Sequence, residues 1–353
     1  MAPRFFYSLL LLFIAVTISS CERDDKEPQV SKSISRLYIS YSDYQPDLQQ
    51  PKIENIVIIS NADTTEFGKF KIGTLSASQG GSYIYFHPSA QTVFHASINR
   101  TVIDTVINSM KVGETGQLSG FGRILSGRLK NIRSLVFHPG MDKLYAVNFS
   151  SNTSDIFVFD KPRGINRFVK TSQRFTLSNA LPAWDLAIVA SNLYTSRTGN
   201  NGGVDIFENL ITQRDSIVPS VNPTRSLTVQ GSSNIRGMSI DTVNNVMAMT
   251  DFVINPGVDT VGRILIFENF SELTKTTGNI TPSRIITGSS TLLKQPVDVD
   301  LDFRAGSKYL YVADPASKAV YRFLKTANGN EAPDAVFKNG NLTPVSICLD
   351  ARK

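Results

Sequence analysis

The sequence returns to the same pattern about every 50 to 60 residues, and every return reads as β-strand. The segments Asp155-Ile-Phe-Val-Phe159, Val204-Asp-Ile-Phe207, Arg263-Ile-Leu-Ile-Phe267 and Val320-Tyr-Arg-Phe323 each follow a second strand-like run. Those runs are Lys143-Leu-Tyr-Ala-Val147, Asn192-Leu-Tyr-Thr195, Asn245-Val-Met-Ala-Met249 and Lys308-Tyr-Leu-Tyr-Val312. A repeat of this length built only from strands points to a radial or stacked β architecture. Each unit aligns as four strands, which in the last full unit are Val297–Leu301, Lys308–Val312, Ala319–Phe323 and Asp334–Lys338. A weaker unit begins with Tyr83–Phe86 and Val93–Ala96, and Thr105 to Lys111 carries the one weak helical pattern.

The ends decide between architectures. Thr343-Pro-Val-Ser-Ile-Cys-Leu-Asp350 reads as the first strand of a unit, by comparison with Gln295-Pro-Val-Asp-Val-Asp-Leu-Asp302. The N-terminal part instead opens with second and third strands, Arg36–Ser40 and Asn55–Ile59. The C-terminal strand is therefore expected to complete the N-terminal blade, which closes a ring and removes an exposed sheet edge. An open solenoid would not need a strand shared between termini, and a large sandwich would lack the repeat. The expected fold is all-β, a six-bladed β-propeller with four-stranded blades over residues 34–353.

A family resemblance follows from the last units. Thr281-Pro-Ser-Arg-Ile-Ile-Thr-Gly288, then Gln295–Asp302, then Tyr309-Leu-Tyr-Val-Ala-Asp314 resembles the NHL-type propeller repeat. The likeness is good from about residue 200 onward and covers about half the chain. Phe267-Glu-Asn269 and Gly329-Asn-Glu-Ala-Pro333 are similar to phrases between the blades of bacterial secreted propellers. Such folds serve both as binding platforms and as enzymes, so the resemblance implies a fold far more than a function.

The N-terminus supplies an address. Arg4, the apolar run Phe5 to Val16 and the small residues before Cys21 read as a secretory signal peptide over 1–20. The run is shorter than the roughly 20 apolar residues that span a bilayer. Ile18-Ser-Ser-Cys21 resembles the lipobox of bacterial lipoproteins, which implies lipidation of Cys21. The polar stretch from Glu22 to Pro28 has too few apolar groups to fold and makes 21–33 a flexible tether. It also resembles the acidic signal that sends lipoproteins of the Bacteroidetes to the cell exterior. Lipid anchoring in a bacterial envelope, at the outer membrane and facing outward, is the resulting expectation.

The net charge of +6 is mild and no basic stripe or nucleic-acid motif is visible, so a nucleic-acid partner is not expected. Cys348 lies in an apolar segment, and with Cys21 spoken for it reads as a buried free thiol in a monomeric domain.

Searches for chemistry find little. Gly-x-Ser-x-Gly is absent, and Gly122 to Leu129 lacks the Lys and hydroxyl of a phosphate loop. His87 and His138 both stand in Phe-His-Pro at equivalent repeat positions and mark a shared turn. Asp241, Asp302 and Asp350 fall one position beyond a strand core, where Asp accepts turn amides. Phe159, Phe207, Phe267 and Phe323 read as packing between blades.

The candidate ligand-binding residues are Arg133, Asp185, Arg236 and Asp298, near the start of innermost strands where a propeller lines its channel mouth. Asn131-Ile-Arg133 and Asn234-Ile-Arg236 occupy equivalent places in two blades, and Ser346 falls near the same level in another. Opposed Arg and Asp there either bind a carboxylate, phosphate or sugar, or pair with each other as a satisfied ring.

Three functions compete. The favoured one is a non-catalytic, lipid-anchored platform for a protein or glycan, with no cofactor. The second resembles the six-bladed calcium lactonases, with a cation held near Asn131, Asp185, Asn234 and Asp298 that polarises a carbonyl. Arg133 and Arg236 would repel that cation. A polysaccharide lyase lacks a His or Tyr base that can be placed.

Overall fold

In the computed structural model of the protein, residues 33–98, 104, 106–178, 181–254 and 260–352 are described. The expected signal peptide (1–20), Cys21 and nearly all of the expected tether (21–33) lie outside them. Twenty-seven strands, β1–β27 in chain order, form six sheets among the described residues. Each sheet is one blade.

The first blade runs β27 (Pro344–Arg352), β1 (Ile34–Tyr41), β2 (Ile56–Ser60) and β3 (Lys71–Thr74), so the last strand of the chain is its innermost. β27 and β1 pair antiparallel from Ile34↔Arg352 to Tyr41↔Pro344, with Tyr38 opposite Cys348. The innermost strands of the other blades are β4 (Gly81–His87), β8 (Ile132–His138), β13 (Ala183–Val189), β18 (Met238–Asp241) and β23 (Asp298–Leu301). Contacts run β27 to β4, β8, β13, β18, β23 and back to β27. That closed circuit is the expected propeller.

The core lies between blades, because each sheet buries both faces. Along β1, Leu37 and Ile39 pack toward the sixth blade with Tyr311 and Ala313, while Tyr38 packs toward the second with Ile84 and Phe86. The two-residue period of a strand thus feeds two different cores. Six apolar clusters result, one for each neighbouring pair of blades. Burial on both sides explains why the repeats read as unbroken apolar runs such as Leu310-Tyr-Val-Ala313, all fully buried. Phe159, Phe207, Phe267 and Phe323 sit in these clusters as expected.

The Phe-Glu-Asn phrases mark chain reversals. Asn209 and Asn269 hold φ near 55° and 57°, a left-handed conformation that Asn tolerates better than other side chains. Each leads into a short helical turn whose Leu210 or Phe270 plugs an interblade core.

Three blades carry a fifth strand that the repeat pattern does not announce. The connection between the third and fourth strands of one blade lies parallel on the outer strand of the blade before it. Asn166–Phe168 pairs with β7 (Leu118–Leu125), Ile217–Val221 with β12 (Gln173–Leu177), and Gly278–Ile280 with β17 (Arg225–Val229). In the next pair Gly329 donates to Ile285 O (2.8 Å) and accepts from Thr287 N (2.9 Å), which gives the Gly-Asn-Glu-Ala-Pro phrase a physical role. These segments cover edges that would otherwise be free to pair with another chain.

Two further expectations are settled here. The weak helical pattern of Thr105 to Lys111 is overturned: β6 (Val106–Val112) is a strand paired on both sides. Its alternation was hidden because Val106 to Met110 are all buried. Cys348 is a buried free thiol, its pKa pushed up chiefly by burial.

Ring closure rests on β27, so a chain ending before Pro344 is expected to lose its cooperative thermal transition. An unchanged midpoint in that truncation, followed by circular dichroism, would contradict the assigned closure.

Candidate functional site

The innermost strands start at one end of the channel and bring their first polar residues there. Asp185 on β13 and Asp298 on β23 are almost fully buried. Asp185 accepts hydrogen bonds from Ser134 Oγ (2.5 Å), Met238 N (2.7 Å), Leu186 N (2.8 Å) and Tyr83 OH (2.9 Å). Asp298 accepts from Ser346 Oγ (2.7 Å), Ile347 N (2.8 Å) and Val299 N (2.9 Å). Two residues along, Asp300 accepts from Leu349 N (2.8 Å) and Ser239 Oγ (3.1 Å). The rule is common to all three: a carboxylate on one inner strand takes a backbone amide of the next blade's inner strand. Ile84 N donates to Ser346 Oγ (3.1 Å), so one chain of bonds joins three blades.

Their environment raises the pKa of all three carboxyls. Burial pushes Asp298 well above the usual carboxylate range, and the charge of Asp185 adds to it. Asp185 is raised by burial, and Asp300 is raised to about 7 by the same cause.

The arginines behave differently. No carboxylate lies within ion-pair distance of Arg133 or Arg236 among the described residues. Instead the Arg133 guanidinium sits 3.6 Å from the Phe149 ring centre and 4.3 Å from that of Trp184. The Arg236 guanidinium lies 3.4 Å from the Trp184 ring centre and 5.6 Å from that of Phe252. Blades three, four and five thereby build an aromatic–cation series, Phe149, Arg133, Trp184, Arg236, Phe252. A cation over an aromatic face is worth about 0.5–1 kcal/mol exposed and about 2 when desolvated. Of the two arrangements open to these residues, Arg–Asp pairing around the tunnel is not seen among the described residues: the arginines stack on aromatics, and the acids accept amides of the next blade.

The residues behind the series fix it. Asn148 Oδ1 accepts Lys130 N (2.7 Å), holding the strand start that carries Asn131-Ile-Arg133. Asp251 Oδ1 accepts Asn234 N (2.6 Å) and Ser233 N (3.2 Å), holding Asn234-Ile-Arg236 in the same way. Asp314 does the same for Lys294 (2.6 Å), so the Asp closing Leu-Tyr-Val-Ala-Asp is a clasp within the blade. Phe149 and Phe252 directly follow the clasp residues Asn148 and Asp251, and sequence reasoning missed them. The available signal was that only the two blades with Asn-Ile-Arg place Phe there.

Burial lowers the pKa of both guanidinium groups to about 10, and the charge of Arg236 adds to the effect on Arg133. Both stay charged at neutral pH. Arg133 Nη1 donates to Ala183 O (3.0 Å), while Nε of each arginine is buried without a partner. With Asn131, Tyr83, Asp298, Pro315 and Val345, Arg133 and Trp184 line a mouth cavity of about 170 Å³. Beneath it a channel cavity of about 340 Å³ runs past Tyr85, Met238 and Asp300 toward His87 and Phe303.

A calcium ion does not fit among Asn131, Asp185, Asn234 and Asp298. Both oxygens of each carboxylate already accept hydrogen bonds, Asn234 Nδ2 donates to Phe252 O (2.9 Å), and the guanidinium groups of Arg133 and Arg236 both stand against Trp184. No group of three or more His, Cys, Asp or Glu converges among the described residues. Asp241 accepts Asn244 N (2.9 Å) and Val243 N (3.0 Å), Asp302 accepts Arg304 N (3.1 Å), and Asp350 pairs with Arg352 (2.6 Å). These are turn and ion-pair roles. His138 Nδ1 accepts Met141 N (3.2 Å) and His87 Nδ1 meets Ser89 Oγ (3.0 Å), as a shared turn requires.

Raised carboxyls make stability depend on pH. Asp300 titrates near 3.8 when unfolded and near 7 when folded, so the folded state holds the extra proton between these values. Its contribution is full below about 3.8 and is lost as pH rises through about 7. His95, lowered to about 3 by burial, acts in the opposite sense below its ordinary 6.5, so the informative quantity is a difference between variants. Asp300→Asn is expected to gain thermal midpoint relative to wild type on going from pH 5 to pH 8. A constant difference between the two curves would contradict this.

No protein family and no curated protein matches the sequence. Solved structures do match in shape. A chain of the nidogen/laminin complex aligns at a TM-score of 0.58 and 13% identity, over 89% of this chain and 98% of that one. A candidate 6-phosphogluconolactonase from Bacteroides fragilis aligns at 0.58 and 12% identity, over 92% and 100%. Hydrazine synthase of Kuenenia stuttgartiensis aligns at 0.51 and 12% identity, over 82% of each chain. At these identities the likeness is one of fold: the protein is a six-bladed β-propeller.

Proposed function

We propose that the chain is a lipid-anchored envelope propeller whose channel mouth is a non-catalytic binding platform for a protein or glycan. The observation that carries this reading is the division of labour at the mouth. The acids are tied into interblade hydrogen bonds, while two arginines are held in fixed planes with no acid to neutralise them. A rigid, preformed set of donors suits recognition, since little ordering remains to oppose binding. The structural neighbours include a chain from a protein–protein complex, in keeping with propellers as binding scaffolds. The NHL-type pattern, the Cys21 anchor, the tether and outward exposure at the outer membrane belong to the same proposal, with the domain acting as a monomer.

The platform is tested by binding the purified full chain to arrayed neutral and acidic polysaccharides and envelope proteins. Ligands held by the wild type are expected to be lost on Trp184→Ala while the thermal midpoint stays within a few degrees. Equal capture by both would move the site elsewhere. Millimolar calcium is expected to leave the midpoint unchanged, since only a ligand of the folded state raises it. A saturable rise that disappears in Asp298→Ala would replace this reading with the lactonase-like one. Radiolabelled palmitate is expected in the wild type and not in Cys21→Ser, and label in both would remove the anchor.

A further inference from the structure

We infer that the channel mouth takes a carboxylate-bearing sugar, a uronic acid within a glycan, with its carboxylate on the in-plane edge of Arg133, the cation that lines the mouth cavity. The inference rests on the binding-platform reading and names its ligand.

The donors come first. A guanidinium offers five N–H groups in one plane and accepts nothing. Aromatic rings lie over both guanidinium groups at the mouth, so the planar edges are what remain for recognition. Arg133 uses one donor on Ala183 O (3.0 Å), while Arg236 bonds through its backbone, its N–H to Thr250 O (3.0 Å) and its carbonyl from Ser196 Oγ (2.6 Å). The buried Nε groups lack acceptors. Leaving a buried donor unmatched costs about 1–3 kcal/mol, and a charged one more. A carboxylate suits the guanidinium edge that remains in shape as well as charge, because its two oxygens match the guanidinium fork.

The walls argue for a sugar around that carboxylate. The cavity is small, about 170 Å³, and places Ser82, Asn131 and Tyr83 beside Ile98, Pro315 and Val345. A lining that mixes polar and apolar groups suits a ring with hydroxyls at its rim and C–H groups on its faces. A bare inorganic anion would leave the apolar wall uncovered. Asp298 also lines the cavity, and its burial favours the neutral carboxyl, so the floor does not oppose an anion.

Calorimetric titration of the full chain decides the matter with four probes: trigalacturonate, its methyl ester, sodium phosphate and a glutamate-rich peptide. Trigalacturonate is expected to bind, and the methyl ester to bind at least tenfold more weakly. Phosphate and the peptide are each expected at least tenfold weaker as well. Arg133→Gln is expected to weaken trigalacturonate at least tenfold with the thermal midpoint within a few degrees, and Arg236→Gln, at a residue that stacks on Trp184 outside the cavity lining, to weaken it less. Arg133→Lys should recover only part, since a point charge lacks the fork. Equal binding of acid and ester would overturn the anionic inference and leave the platform intact. Phosphate as tight as the trimer would make this a free-anion site, and a tighter peptide would make it a protein site. No binding of the trimer at millimolar concentration also overturns the inference. Ligands lost on Trp184→Ala in the array would still uphold the platform, so the two failures are separable.

Discussion

The pairing of β27 with β1 is the constraint on which everything else depends. It joins the first and last described strands along the ladder from Ile34↔Arg352 to Tyr41↔Pro344. With the ring closed, every blade has a neighbour on both faces and each of the six apolar clusters has both of its walls. It also gives Asp298 and Asp300 their partners, since Ile347 N and Leu349 N belong to β27. Closure fixes the spacing of blades three, four and five. That spacing is what allows side chains from three separate sheets to stack as Arg133, Trp184 and Arg236.

The polar residues of the inner strands divide according to desolvation. A buried carboxyl can shed its charge by taking a proton, and it accepts backbone amides in either state. Asp185, Asp298 and Asp300 can therefore be spent on joining blades. An arginine keeps its charge at any ordinary pH and is stabilised by aromatic faces instead. The consequence is a positive rim above a channel whose acids lean toward neutrality. The mild overall charge of +6 conceals this local field.

Much of the fold was legible because propeller blades bury both faces, so apolar runs such as Tyr309-Leu-Tyr-Val-Ala313 stand out against polar turns. The closure was legible for a different reason: Thr343–Asp350 repeats the first-strand pattern of Gln295–Asp302, while Arg36–Ser40 and Asn55–Ile59 read as second and third strands. β6 misled because buried strands lose the alternation that separates them from a helix. The parallel edge segments were invisible, since three residues such as Gly278-Asn-Ile280 carry no period. At the mouth, Arg133, Asp185, Arg236 and Asp298 could be placed near one level from their repeat positions. Their partners could not be read, because the amides that occupy the acids are backbone and carry no sequence signal. Phe149 and Phe252 looked like two more core aromatics until the structure set them against arginines.

Trp184 is the one tryptophan in the chain, so its emission reports on the mouth alone. Comparing collisional quenching by iodide, caesium and neutral acrylamide reads the sign of the charge around that ring. With two unneutralised arginines beside the indole, iodide should quench more strongly than caesium at equal acrylamide sensitivity, and Arg236→Gln should narrow the gap. Caesium quenching as strong as iodide would show that the arginines are neutralised where they stand and would contradict the site described above.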